Sequence, residues 1–169
     1  MAESDEAGCD EEWQSAMSQP ARVDTQTLDR WKWIATRAVE ELAMAGLPVT
    51  TGLPPSLGGG VEVEVDPLSD PTGGVYLRWQ AHGQLIRPAL EEFSARSGGA
   101  AGEPGAAGGD SAVRHHDTVC EAMVTAMATI LTSAGFTVRR AGEVNDFADG
   151  LYIDAAPDPR RLEERTWHP

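Results

Sequence analysis

The tightest cluster of chemistry-bearing side chains in this sequence is His115-His116-Asp117 with Cys120. His116 and Cys120 stand four apart, so a helix would put both on one face, as two ligands of one metal ion require. A metal site takes three or four ligands, and no second pair follows; His82 and His168 are isolated along the chain. His116 also falls on an apolar stripe, where a half-buried histidine is the ordinary outcome. The sequence therefore predicts neither a metal nor another cofactor.

Other chemistry is harder still to assemble. Asn145, Asp146 and Asp149 precede Gly150, but no calcium-loop pattern with a distal Glu follows, and Asx-turn chemistry accounts for them. Glu40-Glu41 and Glu91-Glu92 are adjacent on helices, so each pair diverges, and both read as solvated faces. Ser111, Ser133 and Cys120 lack the glycine-flanked elbow that exposes a nucleophile. Gly58 to Gly60 precede a strand instead of following one, the wrong order for cradling phosphate on a helix. No catalytic residue is assigned. The partner-binding candidates are Trp33, Arg30 and Trp13. Trp33 beside Lys32 and Arg30 would form an anchor of the residue types enriched at interface hot spots, unless a second helix packs over it. Trp13, four before Met17, could dock a short amphipathic turn.

The elements that would position these groups follow from periodicity. Leu28, Trp31, Ile34, Ala35, Ala38, Leu42 and Ala45 recur at threes and fours and predict a helix from Thr27 to Ala45. Asp24, Thr25 or Thr27 can cap its start; Gly46 and Pro48 close it. A longer stripe from Val113 through Cys120, Met127 and Leu131 predicts a helix from Ser111 to Ala134, capped by Asp110 or Ser111 and closed by Gly135. Between them, Val61, Val63 and Val65 alternate with Glu62 and Glu64, and Val75, Leu77 and Trp79 with Tyr76, Arg78 and Gln80. With turn residues from Asp66 to Gly74 between, these runs predict an antiparallel hairpin. A shorter helix is expected from Pro88, in its first position, to Ser97, while residues 82–87 are either a turn or a short strand. Phe136 and Val138 open a further strand, and Leu151, Ile153 and Ala155 close a second hairpin.

The two halves read alike. Ala45-Gly46-Leu47 corresponds to Ala134-Gly135-Phe136, and Gly74-Val75-Tyr76-Leu77 to Gly150-Leu151-Tyr152-Ile153. One helix and hairpin cannot bury both a helix stripe and a sheet face, whereas two such units can do so together. The expected fold is α+β: two helix-then-hairpin units forming a four- to five-stranded, mostly antiparallel sheet with the helices packed on one face. Units 25–97 and 111–157, joined by the Gly/Ala-rich linker 98–110, make one domain, 25–157. An acidic, disordered tail is expected over 1–24, where seven carboxylates stand against Arg22 alone, and a polar tail over 158–169.

Charge bounds the function. A formal net charge of −14 disfavours nucleic acid and an anionic membrane surface, because phosphate neutralisation needs a basic face. Lys32 is the only lysine and the other basic residues are arginine, the bias of a GC-rich genome. Two cysteines, Cys9 and Cys120, make no disulfide framework; with no signal peptide and no spanning helix, a cytoplasmic protein is expected. The order and acidity of the elements resemble those of small acidic binding proteins such as secretion chaperones and toxin-immunity proteins, in shape and charge alone. No residue motif carries anything over from them. The expected function is a non-catalytic module that binds another protein, a basic one by charge: an adaptor, chaperone or immunity type. The alternatives are a small enzyme assembled from distant segments, such as His82, His116 and Asp146, and a self-associating protein whose sheet edge makes a homodimer.

Overall fold

The computed structural model describes residues 21–50, 58–97, 111–143 and 149–158. Trp13, the linker 98–110, Asp146 and the tail beyond residue 158 lie outside them. Helix α1 spans Thr25–Met44. Asp24 caps it by accepting from the Thr27 amide and hydroxyl, both at 2.9 Å. At its far end Gly46, at φ +85°, lets the Leu47 amide reach back to the Leu42 carbonyl at 3.0 Å, a Schellman closure. Helix α3, Ser111–Ser133, ends the same way: Gly135 sits at φ +94° and the Phe136 amide reaches the Leu131 carbonyl at 3.0 Å.

Strands β1 (Gly60–Asp66), β2 (Gly74–Gln80), β3 (Thr137–Arg140) and β4 (Leu151–Ala155) form one four-stranded antiparallel sheet in the order β1-β2-β4-β3. The fold is α+β, as the sequence predicts. The hairpins meet through β2 and β4, with Tyr76 opposite Tyr152, Val75 opposite Ile153 and Leu77 opposite Leu151. Strand alternation then sorts the side chains. Val61, Val75, Leu77, Leu151 and Ile153 join Ile34, Ala38 and Leu42 of α1 and Val124, Met127 and Leu131 of α3 in a single buried cluster. Both halves thus hide their helix stripes on shared β-structure. The other set carries ion pairs and rings: Arg78 with Glu62 at 2.6 Å, Arg139 with Asp154 at 2.6 Å, and Tyr76 against Tyr152 with ring centroids 5.3 Å apart.

Four expectations need correction. Helix α2 spans Gly83–Ser97, so residues 82–87 are neither turn nor strand but its cap and first turn. His82 is the cap: its Nδ1 accepts from the Gln84 amide at 3.1 Å, and its carbonyl from the Leu85 and Ile86 amides. Pro88 therefore lies inside the helix, where its missing N–H forgoes one ladder bond on an exposed side. Glu41 is not solvated; it is 9% exposed on the buried face of α1, while Glu40 pairs outside with Arg37 at 2.6 Å. Glu92 is not free in solvent either. Its Oε2 accepts from the Ala112 amide at 3.1 Å, satisfying one of the orphan donors at the start of α3. Residues 21–24, assigned to the tail by composition, are ordered against the β1–β2 turn: the Val23 amide donates to the Pro67 carbonyl at 2.9 Å and the Ser69 amide to the Ala21 carbonyl at 2.8 Å.

Candidate functional site

Strand β4 pairs with β2 only over Val75 to Leu77. Beyond Leu77, β2 runs on through Arg78, Trp79 and Gln80 with β1 on one side and no β4 neighbour on the other. The chain enters β4 at Gly150, which crosses so close to β2 that a Cβ there would collide with the Leu77 carbonyl oxygen and stand 2.9 Å from the Tyr76 hydroxyl. The Tyr76 hydroxyl donates to the Asp149 carbonyl at 2.8 Å and pins this crossing. The missing β4 neighbour, the N-terminal half of α3 and the 3₁₀ turn Ala141–Glu143 enclose a cleft of about 860 Å³.

Its apolar lining is Trp79, Ala81, Ile86 and Val124, and its polar lining includes Asp117, Glu121 and Asp149. Two arginines reach the cleft, and both are already neutralised. Arg140 is held by Glu121 at 3.0 Å and donates to the Thr125 hydroxyl at 2.7 Å, while Arg78 faces Glu62 across the hairpin. Asp117 and Asp149 have no arginine or lysine partner among the described residues. Two ionisable groups of the cleft lining are shifted chiefly by burial, with the carboxylates adding to it. Burial pushes the Cys120 thiol above its ordinary value, and the charges of Asp117 and Asp149 push it the same way. Burial likewise raises the Tyr76 hydroxyl; Arg78 opposes the rise, while Tyr152, Asp149 and Glu64 add to it. The cleft lining thus carries three carboxylates against two arginines, beside the rings of Trp79 and Tyr76, a setting that suits a cation.

The histidine-cysteine cluster lines this cleft. His116 Nε2 lies 3.6 Å from Cys120 Sγ, and His116 Nδ1 lies 3.0 Å from Asp117 Oδ1. Carboxylate, imidazole and thiol are thus in line, the order of a base-activated nucleophile. The thiol, however, is held protonated by its surroundings, the opposite of the electropositive setting that activates cysteine. Among the described residues no group of three His, Cys, Asp or Glu side chains could hold a metal ion.

The remaining candidates lie elsewhere. Of His82, His116 and Asp146, only His116 lines the cleft among the described residues; His82 caps α2, and Asp146 lies outside those residues. Trp33, 37% exposed, and Arg30, also exposed, sit on α1 and do not line the cleft. Sequence reasoning missed Tyr76, Trp79, Arg140 and the role of Asp149. The only signal for the last was its place just before the glycine that enters β4. Compared with protein-family models, curated proteins and solved structures, this chain matches none. No helix among the described residues is long and apolar enough to cross a membrane.

Proposed function

We propose that this protein is a non-catalytic module that binds a basic partner protein, as an adaptor, chaperone or immunity protein does, and that the cleft beside α3 receives a lysine or arginine side chain of that partner. The observation carrying this reading is the pairing of Asp117 and Asp149, without arginine or lysine partners among the described residues, with the aromatic surfaces of Trp79 and Tyr76 in one cleft. A net charge of −14 adds long-range attraction for a basic surface and speeds encounter at low salt. The reading belongs to a reducing, cytoplasmic setting, consistent with the free thiol of Cys120. Calorimetric titration with an arginine-containing peptide tests it. Replacing both carboxylates, Asp117→Asn with Asp149→Asn, should weaken binding about tenfold, ~1.4 kcal/mol, and flatten its salt dependence. Equal binding by the double variant at low salt would sink the reading.

The in-line Asp117–His116–Cys120 contacts favour a second reading, a thiol-dependent enzyme. Iodoacetamide separates the two. A thiolate paired with protonated His116 would be alkylated rapidly at pH 6, whereas a buried neutral thiol would react there hardly at all.

A further inference from the structure

We infer that the partner segment is bipartite: an extended stretch that places its cationic residue in the cleft and lays apolar residues along a groove on α2. This rests on the cleft being the cation site, and adds a second contact with different chemistry. The groove, about 630 Å³, is lined by Gly83, Ile86, Leu90, Ser94 and Ala95, with Arg87 and Glu91 at its side. Those two charges face each other at 3.8 Å, so the groove itself carries no net charge. Leu90 is 56% exposed, a large apolar side chain left on the outer side of a helix whose one buried residue among the described side chains is Ala89.

Two observations commit the groove to this occupant. First, Ile86 lines both cavities, so cleft and groove lie against one side chain and a single extended segment can reach both. Second, the cleft end is acidic and the groove end apolar, which selects a segment with a basic residue followed or preceded by apolar ones, and sets against it a purely basic or purely apolar one. Length follows from geometry. Helix rise puts Gly83 and Ala95 about 18 Å apart, and an extended chain at about 3.3 Å per residue covers that span in five or six residues. Alternate side chains of such a strand face the groove, so the apolar positions should fall two and four residues from the cation.

Fluorescence anisotropy with two labelled peptides tests this. One is a short peptide carrying a single arginine among serines and glycines; the other extends it with leucines two and four positions beyond the arginine. The extended peptide should bind at least about tenfold tighter, the return on burying one leucine. Leu90→Asp should remove that gain and leave the short peptide unaffected; Ala95→Asp, also on an exposed position, is a second variant should the first disturb α2. If both variants keep full affinity for the extended peptide while Asp149→Asn weakens both peptides, the groove plays no part and this inference fails, with the cleft intact. If the Asp117→Asn and Asp149→Asn changes leave both peptides untouched, the cleft reading itself fails and the bipartite one with it. An extended peptide that binds equally well with its arginine replaced by serine would also overturn it.

Discussion

Replacing Gly46 and Gly135 by alanine, one at a time, sets a controlled comparison between two helix closures of the same design. Both residues hold positive φ, +85° and +94°. A Cβ in that region costs roughly 1–2 kcal/mol, part of which is returned because alanine also restricts the unfolded chain, by about 0.4–1 kcal/mol. At Gly46 the new methyl would meet nothing within 4 Å, so the backbone term stands alone. At Gly135 it would sit 3.2 Å from Pro157 Cβ, and the proline must give way by a few tenths of an ångström. The expected losses are therefore about 1 kcal/mol for Gly46→Ala and about 2 kcal/mol or more for Gly135→Ala, the excess being a packing cost. For a chain of this size each kcal/mol lowers Tm by roughly 2–4 °C. Thermal unfolding followed by circular dichroism reads both. Pro157→Gly, which removes the Cβ that the new methyl would meet, should recover part of the excess in the Gly135→Ala background, and placed alone should not stabilise. Equal losses at the two glycines, or no loss at Gly46, would refute the assignment of strain to backbone and excess to Pro157.

Alkylation of Cys120 should rise only at alkaline pH, and Asp117→Asn with Asp149→Asn should speed it at fixed pH, because both charges hold the thiol up; rates with iodoacetamide across pH 6–10 check this. By linkage the raised thiol contributes stability that is full below its unfolded value and fades as pH climbs through the folded one, so Cys120→Ser should lessen the alkaline loss seen in denaturant titrations. Asp24 has the opposite sign: its carboxyl is lowered mainly by the Thr27 amide and hydroxyl, so its stabilisation is present above the unfolded value and disappears on acidification. Asp24→Ala should accordingly destabilise at pH 7 and converge with the parent protein in strong acid, as urea midpoints at the two pH values will show. Gly150→Ala should lower stability and blunt peptide binding together, since its Cβ would strike the β2 carbonyl that shapes the cleft; a variant with unchanged binding and Tm would contradict the described crossing.

Periodicity made the frame legible. The valines of β1, the stripe from Val113 to Leu131 and the paired Gly closures each translate into one element, because every one of them is a local pattern with a single cheap burial. The start of α2 was illegible for a local reason too: histidine is a rare cap, and an internal proline reads as a beginning. Glu41 and Glu92 show the limit of adjacency arguments, since neighbours on a helix differ by about 100° and one of each pair was bound to face the protein. The cleft could not be read at all. It exists because β4 begins late relative to β2, a register fact that brings Tyr76, His116, Arg140 and Asp149 together from segments with no shared motif.

The join between the hairpins has one more implication. Its register is symmetric about the Tyr76–Tyr152 pair, and each partner strand would accept the same neighbour from a separate polypeptide just as well. A chain's own second half has the advantage of covalent connection, which raises its effective concentration over that of a separate molecule. Shortening the stretch 98–110 until it cannot reach should leave every contact intact and trade partners between molecules, giving an interlocked pair that separates only on unfolding.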